Sequence, residues 1–249
     1  MTKRLSLFVV LIFCSSIFAQ TENWIKCSNN GFIRGNINEK EIYLCFTGGD
    51  FCDGGEYILK VLEDKFIKAN FFFTGDFYRK EEFKPTIKKL FENGHYLGAH
   101  SNKHLLYCDW TKRDSTLITH DEFVKDLEDN FHEMSKFGIA KSDARFFMPP
   151  FEWYNEQIVK WTEELGLTLV NFTPGTLSNS DYKVPGMKNY IGSNEIYNSI
   201  INYESEQNLN GFFLLLHIGT HPDRTDKFYF LLEDLVDELQ NRGYKFKRF

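Results

Sequence analysis

The histidines His100 and His104 lie four residues apart in the segment Gly94-His-Tyr-Leu-Gly-Ala-His-Ser-Asn-Lys-His104. Two imidazoles at this spacing project from the same face of a helical turn, so both can reach one metal ion. The apolar run 95–99 predicts a short buried strand before the pair, and α/β enzymes assemble their chemistry at the carboxyl ends of strands. Because pairs at this spacing are common, the metal prediction depends on what other segments supply.

Polar side chains also follow three other apolar runs. Asp50 and Asp53 come after the first run, the segment 149–154 follows a later one, and His217 ends the last. In a βα barrel such strand ends converge on one face. Two histidines and one aspartate form a donor set that leaves positions open for water. Such a set is typical of a catalytic metal site and suits zinc.

Apolar, β-rich runs alternate with amphipathic patterns along the chain. The runs predict strands over residues 41–46, 70–74, 95–99, 145–148, 167–171, 212–216 and 244–249. The amphipathic patterns predict helices over residues 56–63, 85–92, 121–137, 156–165 and 227–241. Repeated βα units with nearly continuous apolar strands indicate an α/β fold with a parallel sheet or barrel. Because no linker or repeat interrupts the pattern, residues 20–249 are predicted to form a single domain.

The first 19 residues are typical of a secretory signal peptide. Lys3 and Arg4 precede an apolar stretch over residues 5–13, and small residues lead to a predicted cleavage site after Ala19. The stretch is too short for a stable membrane span, so we expect an exported protein, periplasmic or secreted, without an integral membrane segment. Such a compartment allows disulfides, and either three alternative pairings or free thiols are open to four cysteines. These are Cys27, Cys45, Cys52 and Cys108.

The composition excludes some partners. Hydrophobic residues make up 42% of the 249 residues and charged residues 26%, as in ordinary soluble proteins. The formal net charge is −6, and it becomes −8 when Lys3 and Arg4 leave with the signal. With no basic run in the sequence, neither nucleic acid nor an anionic membrane is an expected partner. The aromatic share of 17% would suit a sugar-binding cleft as well as a core.

Together these segments resemble the NodB-homology polysaccharide deacetylases, carbohydrate esterase family 4. The segment from Gly94 to His104 is similar to the family's His-(Ser/Thr)-x-x-His metal motif, and Lys68-Ala-Asn-Phe-Phe-Phe-Thr-Gly75 resembles its second strand. Phe147-Met-Pro-Pro-Phe151 lies where an Arg-Pro-Pro-Tyr motif is expected. Leu214-Leu-Leu-His217 resembles the motif that supplies the catalytic acid, and Asn241-Arg-Gly-Tyr-Lys-Phe246 the usual ending. The matches run in order from about residue 41 to the end.

The resemblance implies a distorted (β/α) barrel that removes N-acetyl, less often O-acetyl, groups from a cell-wall or other polysaccharide. A divalent metal, with Zn²⁺ the best candidate, would be bound by Asp53, His100 and His104. Asp50 would deprotonate the metal-bound water, and His217 would protonate the leaving amine. The expected substrate-binding residues flank the motifs. They are Trp110, Pro150, Phe151, Glu152, Trp153 and Tyr154.

The first motif departs from the family's Thr-Phe-Asp-Asp-Gly, in which the first Asp is the base and the second binds the metal. Aligned by the preceding strand, Leu44-Cys-Phe-Thr-Gly-Gly49 puts Thr47 and Gly48 at those positions. A shifted alignment restores the metal ligand as Asp53. We therefore predict Asp53 as the metal ligand and Asp50 as the base, with the reverse assignment left open.

The third motif departs as well. Met148 replaces the arginine that would orient the base, and either Glu152 or Arg145 could compensate. A polar loop over residues 173–187 is typical of a binding loop, and within it Asp181 is predicted to be a turn residue.

Three functional classes are compatible with these patterns. The first is a metal-dependent polysaccharide deacetylase. The second is a catalytically degenerate domain on the same fold that binds a glycan without cleaving it, and Thr47, Gly48 and Met148 favour it. The third is a metal hydrolase that acts on a different small amide or ester. Release of acetate from a glycan separates the first class from the second.

Overall fold

The protein is described by a computed structural model over residues 21–249. The predicted signal peptide, residues 1–19, and its cleavage site lie outside the described residues. Among the helices between residues 21 and 249, none combines the length and the apolar character needed to cross a bilayer.

Strands and helices alternate along most of the chain. The strands are β1 (Ile25–Lys26), β2 (Phe32–Arg34), β3 (Glu41–Gly48), β4 (Asn70–Phe73), β5 (Tyr96–Ala99), β6 (Phe146–Phe147), β7 (Thr168–Leu169), β8 (Phe212–His217) and β9 (Lys245–Phe246). The helices are α1 (Gly55–Asp64), α2 (Gly75–Arg79), α3 (Lys84–Glu92), α4 (His120–Ser135), α5 (Glu156–Glu164), α6 (Ser193–Gln207) and α7 (Leu232–Asn241).

The strands form one curled sheet in the order β1-β2-β8-β3-β4-β5-β6-β7, with β9 paired to β3. The pairings from β8 through β3 to β7 are parallel, whereas β1 and β2 pair antiparallel. A single bridge between Phe32 and Val170 joins the two ends of the sheet. This architecture confirms the predicted α/β fold of the distorted-barrel type.

The core has two layers because neighbouring side chains of a strand point to opposite faces. In β3, Ile42, Leu44 and Phe46 pack outward against the helices, and Tyr43 and Cys45 point into the barrel. The inner layer is mostly aromatic. It comprises Trp24, Tyr43, Cys45, Phe72, Tyr96, Phe146, Met148, Val170, Phe213 and Leu215, with Phe32, Phe172 and Phe249 packed against it.

The predicted helices and strands are present with bounds shifted by a few residues, and β1, β2, α2 and α6 were not predicted. Hydrophobic periodicity does not predict helix α6, because its apolar stripe is weak. Only Ser193, Ile196 and Ile200 of its fifteen residues are buried. The short strands β1 and β2 contain too few residues to show alternation.

We expect Trp24→Ala to lower the free energy of unfolding by about 3–5 kcal/mol, because it empties the centre of the inner layer. The Trp24 ring lies 5.1–5.6 Å from the rings of Tyr43, Phe146, Phe213 and Phe249. Urea denaturation measures the change. Phe66→Ala is the control, since Phe66 is 95% exposed and its truncation should change stability by less than about 0.5 kcal/mol. Equal losses in the two variants would contradict this packing.

Candidate functional site

A cavity of about 1020 Å³ opens at the carboxyl ends of the parallel strands. Its lining contains Thr47 and Gly48 from the end of β3, the histidine pair that follows β5, and His217 at the end of β8. Most of the predicted site residues line it. These are Asp50, His100, His104, Trp110, Phe151, Glu152, Trp153, Tyr154 and His217. Asp53 and Pro150 are not among its lining residues.

His100 is buried and its ring is fixed. Its Nδ1 lies 2.8 Å from the carbonyl oxygen of Met148, which can only accept, so Nδ1 carries the proton and Nε2 is left with a lone pair. Its backbone N–H donates to Oδ1 of Asn130 at 3.0 Å. Burial and the neighbouring His104 hold the pKa of His100 well below its ordinary value. A neutral, oriented imidazole of this kind is the form that binds a metal ion.

His104 lies close to His100, but the predicted helical turn between them is wrong. The segment is a loop in which Ser101 and His104 have φ angles of 70° and 54°, and the His104 N–H donates to Oγ of Ser101 at 2.7 Å. This loop brings the two ring centroids to 5.0 Å. Burial, together with the nearby His217, lowers the pKa of His104 to about 4. Both histidines are therefore neutral at physiological pH.

His217 is held by Asp181 through two hydrogen bonds. Its Nδ1–H donates to Oδ1 of Asp181 at 2.6 Å, and its backbone N–H donates to Oδ2 at 2.9 Å. Burial alone would lower the pKa of His217, but the Asp181 carboxylate outweighs it and raises the pKa above its ordinary value. This arrangement leaves Nε2 as the nitrogen for a ligand. Asp181 was predicted to be a turn residue, without this contact, and the polar character of the loop over residues 173–187 was the only signal for a site role.

Glu152 faces the same cavity from a strained turn. Phe151 and Glu152 have consecutive left-handed φ angles of 59° and 53°, a conformation that costs a residue other than glycine about 1–2 kcal/mol. The amide of Asn171 donates to the Glu152 carbonyl at 2.8 Å and holds the turn. Burial raises the pKa of Glu152 to about 7, with His217 opposing and Asp181 reinforcing the shift. Strained residues of this kind cluster at functional sites.

The end of β3 carries no carboxylate. Thr47 pairs with His217 across the parallel ladder, and its Oγ1 is buried without a hydrogen-bond partner among residues 21–249. At Gly48, an added Cβ would lie 2.8 Å from the side chains of Ile218 and Phe73, closer than such contacts allow. The structure therefore has no room for an aspartate at Gly48 unless these buried side chains move.

Asp53 does not join the histidines, contrary to its prediction as the metal ligand. Its carboxylate accepts hydrogen bonds from the Thr220 N–H at 2.7 Å and the Tyr229 hydroxyl at 3.0 Å, and it pairs with Lys227 at 2.8 Å. Partial burial would raise the pKa of Asp53, but these donors, Lys227 first, outweigh it and lower the pKa. The carboxylate fixes the loop after β8 instead of facing the cavity.

Asp50, the predicted base, does line the cavity. Its side chain is 83% exposed, lies 3.5 Å from Lys80 and raises the pKa of the nearby His104 against the effect of burial. Of the two residues expected to compensate for Met148, Glu152 reaches the cavity. Arg145 donates to the Ser142 carbonyl at the opposite end of β6.

The donors present do not complete a zinc site. His100 and His104 supply two nitrogens, whereas catalytic zinc sites use three protein ligands. Within the described part of the chain, no group of three or more His, Cys, Asp or Glu side chains could hold a metal ion. The orphaned hydroxyl of Thr47 stands where the resemblance expects a carboxylate.

The fold is a curled α/β sheet with mostly parallel strands, and a histidine pair and a His–Asp pair lie at the carboxyl ends of those strands. The family model described as polysaccharide deacetylase matches residues 34–170, more than half of the chain. The chain belongs to the polysaccharide deacetylase family, and the resemblance drawn from its motifs is confirmed.

Individual relatives agree. The peptidoglycan-N-acetylmuramic acid deacetylase PdaA of Bacillus subtilis is 28% identical over 218 residues, which cover 88% of this chain and 73% of that protein. The structure of PdaA, a family 4 carbohydrate esterase, matches with a TM-score of 0.68 at 27% identity, covering 88% of this chain and 82% of that one. A family 4 pseudoenzyme from Bacillus anthracis shares the fold, with a TM-score of 0.68 at 18% identity over 88% of this chain and 67% of that one.

We expect Asp181→Asn to lower the pKa of His217, because burial is then opposed only by Glu152. An NMR titration of the imidazole Cε1–H signal measures the shift, with the signal assigned by its loss in His217→Gln. Asp50→Asn serves as the control, since Asp50 acts on His104 and not on His217. An unchanged His217 pKa in Asp181→Asn would contradict the pairing.

Proposed function

We propose that this chain binds an acetylated cell-wall polysaccharide in the cavity at its strand ends and does not cleave it. One observation carries the proposal: β3 ends in Thr47 and Gly48, where the family's motif has its two aspartates. The first loop does not replace the metal-binding aspartate, because Asp53 is bound to Thr220, Tyr229 and Lys227. Asp50 of the same loop lines the cavity, but its side chain is 83% exposed and pairs with Lys80.

Several features support a glycan as the ligand. The cavity of about 1020 Å³ is slightly larger than the range of about 300–1,000 Å³ for small-molecule pockets, so it has room for more than one sugar. The aromatic residues Trp110 and Tyr182 line it and could stack on sugar faces. PdaA is named for peptidoglycan N-acetylmuramic acid, so peptidoglycan is the first polymer to test. Export through residues 1–19 would bring the chain to that polymer and is part of the proposal.

In this function the polar side chains recognise rather than react. Asp181 favours a protonated His217, so its Nε2–H would donate to a sugar or acetyl oxygen. The pKa of Glu152 is raised to about 7, and its ionised carboxylate would accept a hydrogen bond from an acetamido N–H or a hydroxyl group.

Removal of an N-acetyl or O-acetyl group is the second candidate. The retained His217–Asp181 pair favours it, because His217 is oriented as an acid that could protonate a leaving amine. Asp50 would then be the base, and His100 and His104 would hold the zinc ion. With Asp53 bound elsewhere, the zinc ion would lack its third protein ligand.

The test is to incubate purified protein with acetylated peptidoglycan and measure both retention on the polymer and free acetate. We expect retention without acetate, whether Zn²⁺ or a chelator is added. His217→Ala should weaken retention by about tenfold, the loss of one charge-assisted hydrogen bond of about 1.4 kcal/mol.

His132→Ala is the matched control, since His132 lies on the exposed side of α4 and does not line the cavity. Acetate release that needs zinc and stops in His217→Ala would establish the second candidate and overturn the first. If the protein is not retained on the polymer and no acetate is released, peptidoglycan is not the ligand.

A further inference from the structure

Trp110 presents an exposed indole at the rim of the cavity. The residue is 54% exposed, and two other aromatic rings support it from within. Trp153 lies 5.5 Å away at an interplanar angle of 32°, and Phe151 meets it edge-on at 5.5 Å. One side of the indole is thus backed by protein while much of its surface remains accessible.

The support beneath Trp110 is itself fixed. The Trp153 Nε1–H donates to the Asp109 carbonyl at 3.1 Å, which ties the ring to the loop that carries Trp110. The Arg113 guanidinium lies 4.0 Å from the centre of the Trp153 ring, and its Nε–H donates to the Tyr154 carbonyl at 2.7 Å. Trp153 thus lies against both Trp110 and Arg113.

Hydrogen bonds within the loop that carries Trp110 fix its conformation. Oδ1 of Asp109 accepts hydrogen bonds from the Thr111 N–H at 2.8 Å, the Thr111 hydroxyl at 2.7 Å and the Lys112 N–H at 2.7 Å. An antiparallel β-bridge between the backbones of Cys108 and Thr116 closes the base of the loop. Because the loop is already ordered, a ligand that meets Trp110 loses little free energy to ordering it.

Trp110 is also continuous with the histidine end of the cavity. Phe151 lies 4.3 Å from the His104 ring and 5.5 Å from the Trp110 ring, so a single aromatic side chain separates the two. Exposure alone does not identify an aromatic residue that could contact a ligand in the cavity. Phe66 is 95% exposed, yet it is absent from the cavity lining.

We propose that Trp110 is a stacking platform for the sugar next to the one at His104 and His217, so that the site reads an oligosaccharide. The inference rests on the proposed glycan function and adds a second subsite to it. The flat indole surface would take the apolar face of a sugar ring, and Arg113 acts as a positioning residue that holds Trp153 beneath it.

The experiment is calorimetric titration with the monosaccharide N-acetylmuramic acid and with the peptide-free di- and tetrasaccharides of peptidoglycan. For the natural chain we expect affinity to rise from the monosaccharide to the disaccharide. Trp110→Ala should bind the monosaccharide as before and the longer ligands about tenfold more weakly. Trp110→Phe should keep most of the affinity because it keeps an aromatic face, and Arg113→Gln should give a smaller loss confined to the longer ligands.

Leu117→Ala is the matched control, since Leu117 is 51% exposed, follows the same loop and does not line the cavity. Equal weakening of all ligands in Trp110→Ala, or no weakening of any, would overturn the platform while leaving the proposed function intact. Failure of the natural chain to bind any of the three ligands would overturn both.

Discussion

Parallel pairing of β3 with β4 and β8 brings the carboxyl ends of these strands to one edge of the sheet, and the whole site depends on this convergence. The parallel pairing of β3 with β8 places Thr47 directly beside His217. The side chain at position 47 is therefore the one from β3 that could act together with His217. A carboxylate there would supply one of the two acidic groups that the family's first motif carries. A buried hydroxyl without a hydrogen-bond partner among residues 21–249 does not.

The electrostatics of the cavity divide its histidines into two kinds. His100 and His104 are neutral, because burial and a neighbouring histidine lower the pKa of each, whereas Asp181 raises the pKa of His217. The site thus keeps two lone-pair donors and one hydrogen-bond donor facing the same space. Such a set can orient the polar groups of a sugar, whereas the carboxylate of Asp53, the predicted third metal ligand, is bound outside the cavity.

Sequence patterns were sufficient for what depends on strand ends and insufficient for what depends on loops. The apolar runs predicted the parallel strands, and the strand ends predicted that His100, Glu152 and His217 would share a cavity. The Asp181 contact joins a loop to a strand 36 residues away, which no local spacing encodes. The contacts of Asp53 escaped prediction for the same reason, because its partners Thr220, Tyr229 and Lys227 belong to a segment that is far away in the sequence.

The histidine pair shows a subtler limit. Its spacing is that of a helical turn, and the structure achieves the same proximity with left-handed residues at Ser101 and His104. Spacing therefore predicted the contact without the conformation. The departures from the family's first motif proved more informative than the matches, because Thr47 and Gly48 occupy the positions at which that motif has its two aspartates.

The most direct test of an incomplete metal site is a titration of the purified chain with Zn²⁺, followed by calorimetry and a measurement of bound metal after dialysis. We expect weak binding that is lost on dialysis and abolished in His100→Ala/His104→Ala. Thr47→Asp, at a position that already carries a Cβ and lines the cavity, should tighten it. Stoichiometric zinc that survives dialysis in the natural chain would contradict the claim.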